Sequence, residues 1–277
     1  MSKNDRIKIA ILLLLWAIVF CPIYPELVRD WFGHSDNSHA ILVPFISLFF
    51  VWQRKNELQS TLVDGAAWGA IVLGASLLAY IASYGGGLAF PARVAMVTSL
   101  FGLVWFCLGI GFIRILAFPI GFLLFMVPVP DSLLSLVSLP LQLLATRISA
   151  NLIENCSIPV YREGNILYFV QTQLEVAEAC SGIRSIMSLT MLSLVFSYLS
   201  RERWWKKALL VAAAIPIAIL ANIVRVTGTG VLAHYYGDKV AKGFLHEFSG
   251  IVIFAFGFAL LFALFSFMNR KKADDIR

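Results

Sequence analysis

The chain has 277 residues, 60% of them hydrophobic and only 14% charged, with a mean hydropathy of +0.83. A water-soluble domain of this length needs more charge to cover its surface, so that class is excluded. Lys and Arg outnumber Asp and Glu by 22 to 16, but they form short clusters between apolar blocks rather than a stripe with interleaved aromatics. That pattern argues against nucleic acid as a partner and for control of membrane topology.

A membrane span needs roughly 20 mainly apolar residues to cross about 30 Å of hydrocarbon. The first block, Ile7 to Phe20, follows Lys3, Arg6 and Lys8 as a secretory signal would. No small-x-small cleavage site follows it, and the bulky Phe20 before Cys21 fits a lipoprotein cleavage box poorly, so it reads as a retained span. Further spans are predicted near 39–52, 66–84, 93–112, 113–129, 180–199, 208–233 and 244–268. The stretch 39–52 is short and must start earlier or be sheltered by neighbours. Gly109-Ile110-Gly111 is the tight hinge between the fourth and fifth.

Segment 131–156 is amphipathic and interrupted by Pro140, which predicts a helix lying along the interface or dipping into the membrane. After it, Ile158 to Tyr161, Ile166 to Val170 and Leu174 to Val176 are strand-like, and Arg162-Glu163-Gly164-Asn165 is turn-prone. The expected architecture is an all-α polytopic membrane protein with about eight transmembrane helices and a small extracellular β-unit near 158–176. No internal repeat or low-complexity segment divides it, so residues 1–277 read as a single domain.

Basic residues give the orientation. With eight spans, 14 Lys and Arg fall on the side of the two termini and 6 on the other, leaving Arg184 and Arg225 inside spans. The positive-inside rule then places both termini in the cytoplasm and the 130–179 segment outside.

A polar residue inside a span is the informative observation in such a chain, because a mid-bilayer Arg costs about 2.5–3.5 kcal/mol on insertion scales. Cys180 is predicted at the outer mouth of the sixth span, with Arg184 one turn deeper. Helix rise places Arg225 roughly 26 Å along the seventh span, in the outer leaflet. His246 opens the eighth on the same side. A thiol, a guanidinium and an imidazole at one depth suit acyl transfer. A neighbouring His can take the thiol proton and later deliver one to a leaving amine. A fixed cation can stabilise the thiolate or the oxyanion that forms on attack. Asn222, three residues before Arg225 on the same helical face, is placed to hold the guanidinium.

Each of these residues alone has an ordinary explanation. A single Cys in a membrane helix is usually an inert small hydrophobe, a His at a span end is usually interfacial, and an Arg near the interface snorkels to water. His39 and His234 also fall near the outer face. The four cysteines, Cys21, Cys107, Cys156 and Cys180, have no CxxC or metal-ligand spacing, although Cys21 and Cys156 both fall where a disulfide is open to them. No metal or other cofactor is indicated.

The surrounding residues add a more specific signal. Val176-Ala177-Glu178-Ala179-Cys180-Ser181-Gly182-Ile183-Arg184-Ser185 resembles the signature of the exosortase family of bacterial membrane transpeptidases. Ala221-Asn222-Ile223-Val224-Arg225 is similar to its Asn-x-x-Arg motif, and Leu245-His246-Glu247-Phe248-Ser249-Gly250 to its third, a His followed shortly by Gly. Ser38-His39-Ala40-Ile41-Leu42-Val43-Pro44 resembles an upstream family motif, with Ala40 where the family usually has Gly. The resemblance implies Cys180 as nucleophile, Arg225 as charge stabiliser and His246 as acid and base. Glu178, Ser181, Gly182, Arg184, Asn222 and His39 would then support the site or bind substrate.

The same resemblance implies a sortase-like cysteine transpeptidase of the bacterial inner membrane, with its site at the periplasmic face. Its partners would be exported proteins carrying a C-terminal sorting signal (a motif such as Pro-Glu-Pro, one helix and a basic tail) and a surface acceptor. The setting would be exopolysaccharide and biofilm-matrix production. Lipid is the surrounding partner. The outer β-unit is expected to align the extended motif by strand addition. Two other classes stay open: a secondary transporter with Arg184 and Arg225 lining an anion path, and a non-catalytic assembly protein of polysaccharide export.

Overall fold

The computed structural model describes residues 3–33, 35–170, 172–176, 183–237 and 244–274; the side chains at 3–6, 35–36, 244–249 and 270–274 fall outside the description. Backbone contacts group the chain into two compact units, residues 1–130 and 131–277.

In the first unit, helix α1 (Lys3–Val19) stops at Phe20-Cys21-Pro22 and continues after a bend of 48° as α2 (Tyr24–Gly33). Pro22 falls at the break, where a missing N–H and a fixed φ suit a new helical start. A 3-10 helix (Ser35–Leu42) leads into α3 (Val43–Gln53), so the short second span begins earlier than its apolar block. A surface helix α4 (Lys55–Ser60) follows, then α5 (Ala67–Gly85) and α6 (Ala89–Leu108), the most closely packed pair in the unit. Gly69 lies against the Phe106 backbone and Gly102 against Leu73, where a Cβ would overlap the opposite main chain. α1 is pinned to α6 by Trp16 Nε1, which donates to Ser99 Oγ at 2.9 Å.

The boundary between the fourth and fifth spans lies at Gly109, within the expected Gly109-Ile110-Gly111 hinge and three residues before the expected span limit at 112. Gly109 has φ +90° and rests against the Asp64 backbone, leaving no room for a side chain. α7 (Ile110–Phe122) and a 3-10 turn (Leu123–Met126) complete the unit, with Ser47 Oγ donating to the Pro119 carbonyl at 2.8 Å.

The second unit opens with α8 (Asp131–Asn155), which runs unbroken through Pro140. Its buried face is largely small and polar, with Gln142, Thr146, Ser149 and Ala150, whereas Leu133, Leu136, Val137 and Leu144 are exposed. The amphipathic stripe therefore has its polar side toward protein and its leucines outward. Three short antiparallel strands follow, β1 (Tyr161–Glu163), β2 (Ile166–Tyr168) and β3 (Gln173–Glu175), in the order β1-β2-β3. They lie within or just beside the expected stretches, joined at first by a two-residue turn in which Gly164 has φ +61°. Leu167, Leu174 and Val176 bury themselves against Ala150 and Ile153 of α8 and against Val226 and Ala233 of a long helix, α10. Helices α9 (Ile183–Leu199), α10 (Trp204–Tyr236) and α11 (Phe244–Asp274) pack together around Leu189, Leu210, Ala214, Ala218 and Leu261.

The chain is a multi-pass membrane protein. Among the described residues, α5, α6, α8, α10 and the 250–269 part of α11 are long and apolar enough to cross a bilayer, and the bent α1–α2 pair makes a sixth. The stretches 37–53, 110–126 and 183–199 are apolar but shorter. At about 1.5 Å per residue each spans roughly 26 Å, less than the hydrocarbon thickness. The eight expected crossings thus stand at five to six by length, and α8, for which the sequence left open lying along the interface or dipping into the membrane, is among them.

Candidate functional site

Three described helix faces in the second unit meet around one rung. A Cβ on Gly257 of α11 would lie 2.9 Å from Leu189 Cδ1 of α9 and 3.8 Å from Ala221 Cβ of α10. α10 runs antiparallel to its two partners. One turn further along α10 is Arg225, and two turns back along α11 is Gly250. These two meet: a Cβ on Gly250 would sit 3.5 Å from Arg225 Nη2, 3.7 Å from Cζ and 3.9 Å from Nη1. The guanidinium therefore lies against Gly250, at ordinary van der Waals distance from where a Cβ would sit, so that a side chain longer than a methyl would meet it.

That contact carries position 246 with it. His246 precedes Gly250 by four residues, so its backbone lies one turn away along α11. The His246 side chain lies outside the described residues. So do Cys180, Glu178, Ser181 and Gly182, within the segment 177–182.

The described flanks of that segment are held at both ends. Val176, four residues before Cys180, is fully buried in the cluster that contains Val226, and its N–H donates to the Asn165 carbonyl at 2.8 Å. Ile183, three residues after Cys180, is buried at the start of α9. Arg184 follows it and is exposed. Arg225 is half-buried, while Asn222 on the same helix is only 5% exposed. His39, in the Ser35–Leu42 helix of the first unit, is half-buried, and the neighbouring Ala40 methyl is buried. Cys21, Cys107 and Cys156 are free thiols.

Two residues to which sequence reasoning gave no role of their own matter here. Gly250, quoted above only as the Gly of the third motif, is the seat of the guanidinium. Ser149 of α8 donates to the Ile223 carbonyl at 3.3 Å, a hydrogen bond to the main chain of α10 two residues before Arg225. Its signal was the polar stripe of 131–156, which the sequence alone could not assign to a face.

Residues 31–263 match the profile described as transmembrane exosortase (Exosortase_EpsH). The chain belongs to the transmembrane exosortase family. The matched stretch contains all nine candidate residues of this exosortase, together with Gly250 and Ser149. No curated protein and no solved structure matches the chain.

Proposed function

We propose that this exosortase is a membrane-embedded cysteine transpeptidase, cleaving C-terminal sorting signals of exported proteins and passing them to a surface acceptor. The observation that carries the reading is the seating of Arg225 on Gly250. It fixes a cation one turn from the backbone of His246, in the unit whose Val176 and Ile183 flank Cys180. A cation fixed in a low-dielectric site needs no reorganisation when negative charge develops beside it.

In the proposed course, His246 takes the Cys180 proton and the thiolate attacks the scissile carbonyl carbon, forming a C–S bond. The oxyanion develops against Arg225. As it collapses, the C–N bond breaks and His246 returns the proton to the departing amine. A thioacyl enzyme remains. An acceptor nucleophile, giving its proton to His246, attacks the same carbon, the C–S bond breaks and the thiolate is restored. Glu178, Ser181, Gly182, Arg184, Asn222 and His39 have supporting or substrate-binding roles in this reading. With both termini cytoplasmic, the site faces the outer side of the inner membrane, where an exported substrate held by its own helix presents its motif. The deciding experiment co-expresses such a substrate and measures the mass of its new C-terminus. An added group on the motif carboxyl is expected; a free carboxylate would reduce the activity to hydrolysis.

The small sheet supports a docking mode. β1 is an edge strand and its three residues are exposed. With a two-residue turn, Glu163 and Ile166 form the hydrogen-bonded pair, so the N–H and C=O of Arg162 point away from β2. An extended substrate motif added there would use the Arg162 N–H. Arg162→Pro removes that donor and leaves the β1–β2 ladder intact. It should lower processing severalfold with membrane insertion unchanged, as read by substrate conversion and fractionation. Undiminished conversion would exclude docking on this edge.

A further inference from the structure

The first unit holds a charged cavity far in sequence from the Cys-Arg-His motifs. Its volume is about 330 Å³, within the range of small-ligand sites, and its lining includes Glu26, Tyr84, Leu88, Ala92 and Arg93. It opens at one end of the α5–α6 hairpin, where the spans meet the membrane–water boundary, and Leu88 on its wall is exposed beside it. Glu26 and Asp30 precede the family-matched stretch, whereas Arg93 lies within it.

Arg93 is only 5% exposed. Nη1 donates to Asp30 Oδ2 at 2.6 Å, the one hydrogen bond of its five N–H donors among the described residues. Nη2 lies 3.9 Å from Glu26 Oε2, too far for a hydrogen bond, and the Glu26 side chain is 64% exposed. Among the described residues, the cavity thus sets guanidinium N–H groups with room for a further acceptor beside a carboxylate with no donor within hydrogen-bond distance. An anion alone would meet Arg93 but be repelled by Glu26 and Asp30. A cation alone would leave the guanidinium edge not held by Asp30 without an acceptor. A compact zwitterion answers both.

We propose that this cavity binds an ammonium phosphodiester, the headgroup chemistry of an aminophospholipid. The ammonium donates to Glu26, and the phosphodiester oxygens accept from Arg93 and from the free N–H groups at the start of α6. The acyl chains leave over Leu88 into the bilayer. A trimethylammonium has no N–H to donate and a glycerol headgroup has no cation, so the site discriminates among lipids of equal chain length.

The full chain in detergent would be titrated with phosphatidylethanolamine, phosphatidylcholine and phosphatidylglycerol of identical chains, and with glycerophosphoethanolamine, with binding read by native mass spectrometry. The ethanolamine lipid should bind about tenfold tighter than the other two, the worth of one charge-assisted hydrogen bond. Glu26→Gln should erase that preference with an unchanged melting temperature, while Glu154→Gln, an exposed carboxylate on α8, should keep it. Glycerophosphoethanolamine binding as tightly as the lipid would assign the zwitterion to a soluble source; binding by the lipid alone would assign it to the membrane. Equal affinity for all headgroups, or a preference that survives Glu26→Gln, overturns the site.

Discussion

Cys180→Ala should abolish processing of a co-expressed sorting signal, a loss of about 10³-fold or more that reaches the assay floor, while the protein remains in the membrane at its normal level. The size of the effect follows from covalent catalysis. Without the thiol there is no thioacyl intermediate, and Arg225 has no oxyanion to stabilise, so the trio fails as a unit. A transporter or an assembly scaffold would tolerate the change, because an alanine in place of a cysteine alters volume little. Processing at the normal rate in Cys180→Ala would therefore remove the cysteine mechanism altogether.

The second large effect is a graded series at Arg225 and Gly250. Arg225→Ala should lower kcat by about 10²–10³-fold, the usual loss on deleting a group aimed at a developing oxyanion. Gly250→Ala should be nearly silent, because the added Cβ falls 3.5 Å from Arg225 Nη2, an ordinary contact. The methyl also favours the helix by roughly 0.5–1 kcal/mol. Gly250→Leu should reproduce most of the Arg225→Ala loss, since a branched side chain occupies the space of the guanidinium. Its folding should survive, because the helical core around Leu189 and Leu261 lies further along α11. The signature is a fall in kcat with little change in KM, measured on purified protein with a peptide carrying the motif. Full activity in Gly250→Leu alongside an inactive Arg225→Ala would mean that the seat is dispensable.

Much of this was legible in the sequence, because lipid makes apolar length a direct readout of helices. Every block expected to span overlaps helix in the described residues, although the block 93–112 breaks at Gly109 and 113–129 leaves helix after Met126. What the pattern could not resolve depended on neighbours. The residues around Gly109 are apolar on both sides, and only its φ of +90° and the adjacent Asp64 backbone fix where α6 ends. The stripe of 131–156 has the right period, yet two-faced periodicity does not say whether the polar side meets water or protein; in α8 Ser149 and Thr146 turn inward. Strand limits shifted for the same reason, since register is set by which of Leu167, Leu174 and Val176 find α8 and α10. The motifs marked Arg225 and His246 as a pair, but the bare face at Gly250 that receives the guanidinium is a contact between helices 25 residues apart and needs coordinates to be seen.

α10 has 33 residues and so measures about 50 Å, against a hydrocarbon slab of about 30 Å. Such a helix must lean, or stand clear of the acyl chains at an end, and the balance changes with the thickness of the bilayer. Arg225 rides on this helix, so lipid chain length sets the height at which its charge is presented. A substrate of the proposed kind, anchored by its own single helix, would respond to the same thickness with a different excess of length. Reconstitution in lipids of graded chain length would then tune how often scissile carbonyl and guanidinium arrive at the same height, making membrane thickness a specificity determinant that no residue of either protein encodes alone.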